Sequence, residues 1–115
     1  GCGGALSALR NESFGLIDGW LSHIGKIRDA HNKELSTLTG EAAKHDRLCE
    51  INVMQQALNV CKTDIVQDAW QRGQRLSIHG WVYRLADGLL HEIKGFTSNL
   101  EDMHKLDEAI AELRA

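Results

Sequence analysis

Apolar and polar positions alternate most regularly in FGLIDGWLSHIGKI. There Ile17, Trp20, Leu21, Ile24 and Ile27 recur at helical spacing while Asp18, Ser22 and Lys26 fall on the opposite side. This pattern predicts an amphipathic helix. Upstream of it, ALSAL predicts a short helix that RNES interrupts. Downstream, residues 28–44 are polar with sparse leucines and predict a continuing helix that frays near TLTG. HDRLCEINVMQQALNVCK then predicts a second strong helix, with Leu48, Ile51, Val53, Met54, Leu58 and Cys61 on a broad apolar face. TDIVQDAWQRG predicts a short helix capped by Thr63 or Asp64 and stopped by Gly73.

The pattern changes at RLSIHGWVYRL, which is rich in β-branched and aromatic residues. ADG separates it from LLHEIKGF, and Gly88 offers the positive φ that a tight turn requires, so a β-hairpin is predicted over about residues 75–96. SNLEDMHKLDEAIAELRA closes the chain as a helix. Ser98 and Glu101 stand in capping-box register there, and Leu100, Met103, Leu106, Ile110 and Leu113 lie along one stripe. Four or five helices with two strands leave a deficit. A lone hairpin is marginal and covers less apolar surface than these helices present, so further strands or a partner are expected.

With 115 residues the chain is at most one small domain. A formal net charge of −3, with basic residues scattered among acidic ones, gives no footprint for nucleic acid. No apolar run reaches the roughly 20 residues of a membrane span, and no signal-peptide pattern is present, so a soluble, cytoplasmic protein without a membrane partner is expected. Three cysteines without a C-x-x-C pair argue against a disulfide framework and fit a reducing compartment.

Chemistry-bearing residues are few. Cys2 is followed by Gly3, Gly4 and a helix, a weak pattern when taken alone. Zinc takes three or four protein ligands, and His23 and His31, the nearest histidines in sequence, have no ligand-like spacing to Cys2. Cys2 is therefore open between an ordinary thiol and a ligand. Cys49 and Cys61 are twelve residues apart on one predicted helix, turned about 120° from each other, and read as small buried hydrophobes. The six histidines are dispersed, and there is no phosphate loop, G-x-G-x-x-G or H-E-x-x-H. Trp20, Trp70, Trp81 and Tyr83 read as core or interface aromatics, Trp81 and Tyr83 sharing one side of the first strand.

The run CEINVMQQALNVCKTDIVQDAWQRGQRLSIHGWVYRLADGLL, together with GLIDGWLSHI and the opening GCGG, resembles the C-terminal half of the β-class carbonic anhydrases over residues 1 to about 93. Its most specific parts are E-x-N-V, A-W-x-R-G-Q and H-G-W-x-Y-x-x-x-D-G-L-L. The resemblance implies an α/β fold in which residues 1–115 are the C-terminal part of a mixed, mostly parallel β-sheet domain flanked by helices. It also implies a homodimer or homotetramer. The implied activity is zinc-dependent, reversible hydration of CO2 to bicarbonate and a proton.

The resemblance further implies that Cys2 is the second of two cysteine ligands to Zn2+ and that Gly3 and Gly4 line the active-site cleft. A thiolate there would be favoured by the start of the following helix. The first cysteine, the aspartate and arginine of a C-x-D-x-R motif, and a histidine three residues before Cys2 are expected upstream of Gly1. No catalytic Asp/Arg dyad is therefore expected within these residues. Tyr83 matches the tyrosine of a non-catalytic bicarbonate pocket whose tryptophan and arginine are also expected upstream. The alternative is a non-catalytic fragment or oligomerisation scaffold without a complete metal site. The enzyme reading concerns the complete protein and the scaffold reading the 115 residues alone.

Overall fold

The computed structural model describes residues 2–114. Among them are six α-helices, a short 3-10 turn and a two-stranded sheet. The residues divide into two compact units, one running to Asn52 and taking in Leu113, the other spanning Val53–Glu112.

The first unit contains α1 (Gly3–Leu9), the 3-10 turn Gly15–Ile17, α2 (Asp18–Ala30), α3 (Asn32–Ser36) and the first half of α4 (Glu41–Cys61). Its buried side chains are Ala5 and Ala8, then Leu21, Ile24 and Ile27, then Leu35, Leu48 and Ile51, with His31 almost fully enclosed. The face of α2 follows the predicted helical period, although Ile17 and Trp20 remain exposed, so this unit buries a narrower stripe than the sequence offers. The Asp18 carboxylate accepts bonds from the Phe14 N–H at 2.7 Å and the Ser13 hydroxyl at 2.8 Å, which fixes the turn into α2. Those two bonds, the backbone one foremost, hold its pKa below the ordinary carboxylate value.

One fraying helix is predicted over residues 28–44, and the structure has a break instead. His31 leaves helical geometry (φ −110°, ψ 19°), α3 restarts for five residues, and Gly40 turns the chain at φ 88° into α4. The Ser36 and Thr37 hydroxyls donate to the carbonyls of Lys33 and Glu34 at 2.8 and 2.7 Å. Such local bonds compete with helix propagation, which is why α3 ends there.

The second unit holds the rest of α4, α5 (Asp64–Gln71), β1 (Ile78–Arg84), β2 (Leu89–Thr97) and most of α6 (Leu100–Arg114). Met54, Leu58 and Cys61 from α4 are buried, as are Val66, Ala69, Met103 and Ile110. Gln67 donates to the Cys61 carbonyl at 2.6 Å, and the Trp70 indole N–H donates to the Leu76 carbonyl at 2.9 Å, tying the segment after α5 back onto it. Gly73, at φ 74°, ends α5 with its N–H on the Trp70 carbonyl and the Gln74 N–H on Ala69, the predicted glycine stop. Thr63 occupies the position before α5, but its hydroxyl donates backwards to the Val60 carbonyl at 2.8 Å and does not cap the helix. The cap of α6 is also displaced from the predicted register. Asn99 Oδ1 accepts the Asp102 N–H at 2.8 Å, and Asp102 reaches back to Ser98, so the capping pair is Asn99 and Asp102 in place of Ser98 and Glu101.

The predicted hairpin is present as antiparallel β1 and β2, the two strands of the single sheet among the described residues. Its turn closes with the Gly88 N–H on the Arg84 carbonyl at 2.8 Å, and the Asp87 carboxylate accepts the Leu89 N–H at 2.9 Å. The register slips between His79 and Trp81, where Lys94 and Gly95 bulge out of β2 at φ 62° and 72°. Gly80 sits at this slip with α4 hard against it: a Cβ there would lie 2.8 Å from Val53 Cγ1. Trp81, Tyr83, Leu89, Leu90 and Phe96 stay more than half exposed, which matches the shortage of cover expected for a lone hairpin.

Gly80→Ala tests this packing. Val53 is β-branched and yields little, so the variant is expected to lose about 1–3 kcal/mol in thermal or denaturant unfolding, with Val53→Ala in the same chain restoring part of the loss.

Candidate functional site

Cys2 stands at the N-cap position of α1 in extended geometry (φ −100°, ψ 125°), and its side chain makes no capping bond. The thiol is exposed, and a Cβ on Gly4 would lie 3.8 Å from its sulfur. The Cys2 backbone is held from two sides, its carbonyl accepting from the Leu6 N–H at 3.0 Å and from the His45 ring at 2.8 Å. Because a carbonyl only accepts, His45 carries its proton on Nε2.

The His45 contact is one rung of a register between α1 and α4. At the far end of α1, Arg10 Nε donates to Glu41 at 2.9 Å, with a second donation from the same guanidinium. Glu41, His45 and Cys49 are spaced by four residues and so share one face of α4. Arg10 opposite Glu41 and Cys2 opposite His45 mean that α1 runs antiparallel along that face. Cys49, one turn beyond His45, meets the backbone N–H of Cys2. Burial pushes the half-buried Cys49 thiol above the ordinary cysteine value, and the Cys2 N–H partly offsets that rise. The Arg28 guanidinium bonds the Ala8 carbonyl and fastens α1 from a third side.

The two glycines differ. A Cβ on Gly3 would meet nothing within 4 Å, so that position is open beside the thiol. A Cβ on Gly4 would lie 3.3 Å from Leu21 and 3.5 Å from Trp20, so Gly4 lets α1 approach α2 closely.

Sequence spacing offered His23 and His31 as the nearest histidines to Cys2. The histidine in contact is His45, and His31 is buried in the first unit. His45 and Cys49 carried a legible signal in their i, i+4 spacing, but nothing in the sequence alone placed α1 against that face. Cys61 is fully buried in the second unit, where burial raises its thiol, and so behaves as the expected small hydrophobe. Tyr83 lies on β1 of the second unit, opposite Leu90 and exposed. Among the described residues no group of three or more His, Cys, Asp or Glu could hold a metal ion, so Cys2 is a single candidate ligand and not a complete centre.

A sequence model of the family described as carbonic anhydrase matches residues 1–90. A carbonic anhydrase of Emericella nidulans is 34% identical over 106 residues, covering 91% of this chain and 46% of the relative. One from Pseudomonas aeruginosa is 30% identical over 96 residues, covering 80% and 42%. The chain thus spans less than half the length of these curated relatives. Among solved structures, Coccomyxa β-carbonic anhydrase in complex with acetazolamide superposes with a TM-score of 0.81 at 31% identity, covering 96% of this chain and 53% of that one. A tetrameric β-carbonic anhydrase from Sordaria macrospora gives 0.75 at 28% identity, covering 84% and 49%.

The α1–α4 register predicts a pH dependence. The hydrogen bond from Arg10 holds the Glu41 pKa below its ordinary value, so the pair stabilises the fold above the usual glutamate range, and that contribution fades as pH falls through the lowered value. In melts taken downward from about pH 5, Glu41→Gln is expected to flatten this acid limb, with little effect on its shape near neutrality.

Proposed function

The chain belongs to the β-carbonic anhydrase family, and on that footing we propose that it contributes Cys2 as one thiolate ligand of a zinc site for reversible hydration of CO2 to bicarbonate and a proton. The observation that carries this is the presentation of Cys2. Its thiol is exposed at the start of α1 and makes no capping bond, while its carbonyl is pinned by Leu6 and His45. The donor chemistry fits zinc for this one position, and the remaining ligands come from residues outside these 115, which form the carboxy-terminal portion of one domain. When bound, zinc lowers the pKa of a water to near neutrality and so makes a nucleophile for CO2. This chain's residues hold and orient the thiolate through His45 and leave room beside it at Gly3. Gly4 completes the cleft wall while packing on α2. No catalytic acid or base is assigned within these residues.

The exposed apolar side chains support a homo-oligomer, a dimer or tetramer, in which Trp20, Trp81 and Phe96 are covered by other protein surface. The free thiols of Cys2, Cys49 and Cys61 favour a reducing compartment, and we assign the cytoplasm. No described helix is long and apolar enough to cross a membrane. Tyr83 is assigned to a non-catalytic bicarbonate pocket completed by residues outside this chain, supported by its exposed position on β1.

Zinc analysis with CO2-hydration kinetics tests the first assignment. The complete protein is expected to carry one zinc per subunit. Cys2→Ser is expected to lose most of it and at least about 100-fold in hydration rate, since even outer-sphere partners of such sites are worth 10–100-fold. Unchanged zinc in that variant would leave the non-catalytic scaffold as the account of these residues. Tyr83→Phe tests the second assignment: bicarbonate is expected to inhibit about tenfold less strongly, the worth of one hydrogen bond to a charged group, and an inhibition curve identical to the parent's removes the pocket.

A further inference from the structure

The Cys49 thiol lies against the Cys2 backbone where α1 begins. The register of α1 on α4 brings them together: Arg10 on Glu41 and Cys2 on His45 fix the two helices antiparallel, and Cys2 precedes Arg10 by eight residues as Cys49 follows Glu41 by eight, about 12 Å on each helix at the helical rise. Cys49 follows His45 by one turn on the same face and lies against the Cys2 backbone. The Cys2 thiol is exposed, the Cys49 thiol is half-buried beside it, and the third cysteine, Cys61, is sealed in the other unit. Cys2 is also the first residue outside α1, so its side chain can turn without unwinding the helix. A disulfide needs its Cα atoms within about 7 Å, a span that a Cys49 sulfur touching the Cys2 N–H permits.

We propose that Cys2 and Cys49 form a reversible disulfide that withdraws Cys2 from metal binding, a redox control built into the site. The withdrawal rests on Cys2 being a zinc ligand, whereas the bond itself does not. Glutathione disulfide suffices as oxidant. The Cys2 sulfur attacks one of its sulfurs, forming a mixed disulfide and releasing one glutathione thiolate. The Cys49 sulfur then attacks Cys2 Sγ, forming the internal disulfide and releasing the second glutathione. The two cysteine protons pass to the two departing thiolates. The protein loses two electrons and glutathione disulfide gains them. His45, holding the Cys2 carbonyl between the two partners, keeps the second attack short and intramolecular.

The test is peptide mapping of the complete zinc-loaded protein after exposure to glutathione disulfide, without reduction. Cleavage after Arg, Lys and Glu is required, because Glu50 separates Cys49 from Cys61. A linked Cys2–Cys49 peptide is expected, with two thiols lost per chain, zinc released in proportion to the linked fraction, and both changes reversed by dithiothreitol. Cys49→Ser is expected to stop at glutathionylated Cys2. Glutathionylated Cys2 with a free Cys49 in the parent protein would overturn the proposal, and that result needs no variant to fold. A linked peptide formed with the zinc fully retained would instead count against the zinc assignment and leave the disulfide standing.

Discussion

The antiparallel register of α1 along α4 governs the position of every candidate site residue in the first unit. A seven-residue helix has little stability of its own and is ordered only by what it packs against. Here Arg10 and Glu41 secure one end, His45 secures the Cys2 carbonyl at the other, and Arg28 bonds the Ala8 carbonyl in between. The exposed Arg10–Glu41 pair adds little free energy by itself. Its value is positional, because a slip of α1 by one residue would carry Cys2 about 1.5 Å along the helix axis and turn it about 100° away from His45. Gly4 permits this arrangement by letting α1 close on Leu21 and Trp20.

A comparable close approach organises the second unit. Gly80 lies under Val53 of α4 where the hairpin register slips, and the bulge at Lys94 and Gly95 absorbs the mismatch. The hairpin is thereby bent onto α4 at one point and leaves Trp81, Tyr83 and Phe96 exposed.

Much of this was legible in the sequence. The period of Leu21, Ile24 and Ile27, the apolar face of Leu48, Ile51, Met54 and Leu58, and Gly73 and Gly88 as punctuation all specify local structure, and each element formed where its pattern lay. What failed was set by competing local hydrogen bonds. The Ser36 and Thr37 hydroxyls broke a helix that composition alone would continue, and Asn99 took the cap from Ser98. The site was less legible because it depends on tertiary register. The spacing of His45 and Cys49 was in plain sight, yet both lie more than 40 residues from Cys2, and only the packing of α1 on α4 makes them neighbours. The resemblance to the family motifs pointed to Cys2 as a candidate without that information.

The central claim is that the Cys2 sulfur is bonded to a metal in the complete protein. X-ray absorption at the zinc edge measures this directly, since zinc–sulfur distances near 2.3 Å stand apart from zinc–nitrogen and zinc–oxygen distances near 2.0–2.1 Å. The account predicts a first shell containing two sulfurs, with one lost when Cys2 is replaced by serine in a preparation forced to bind metal. A sulfur shell that is absent, or that survives the replacement unchanged, would contradict it.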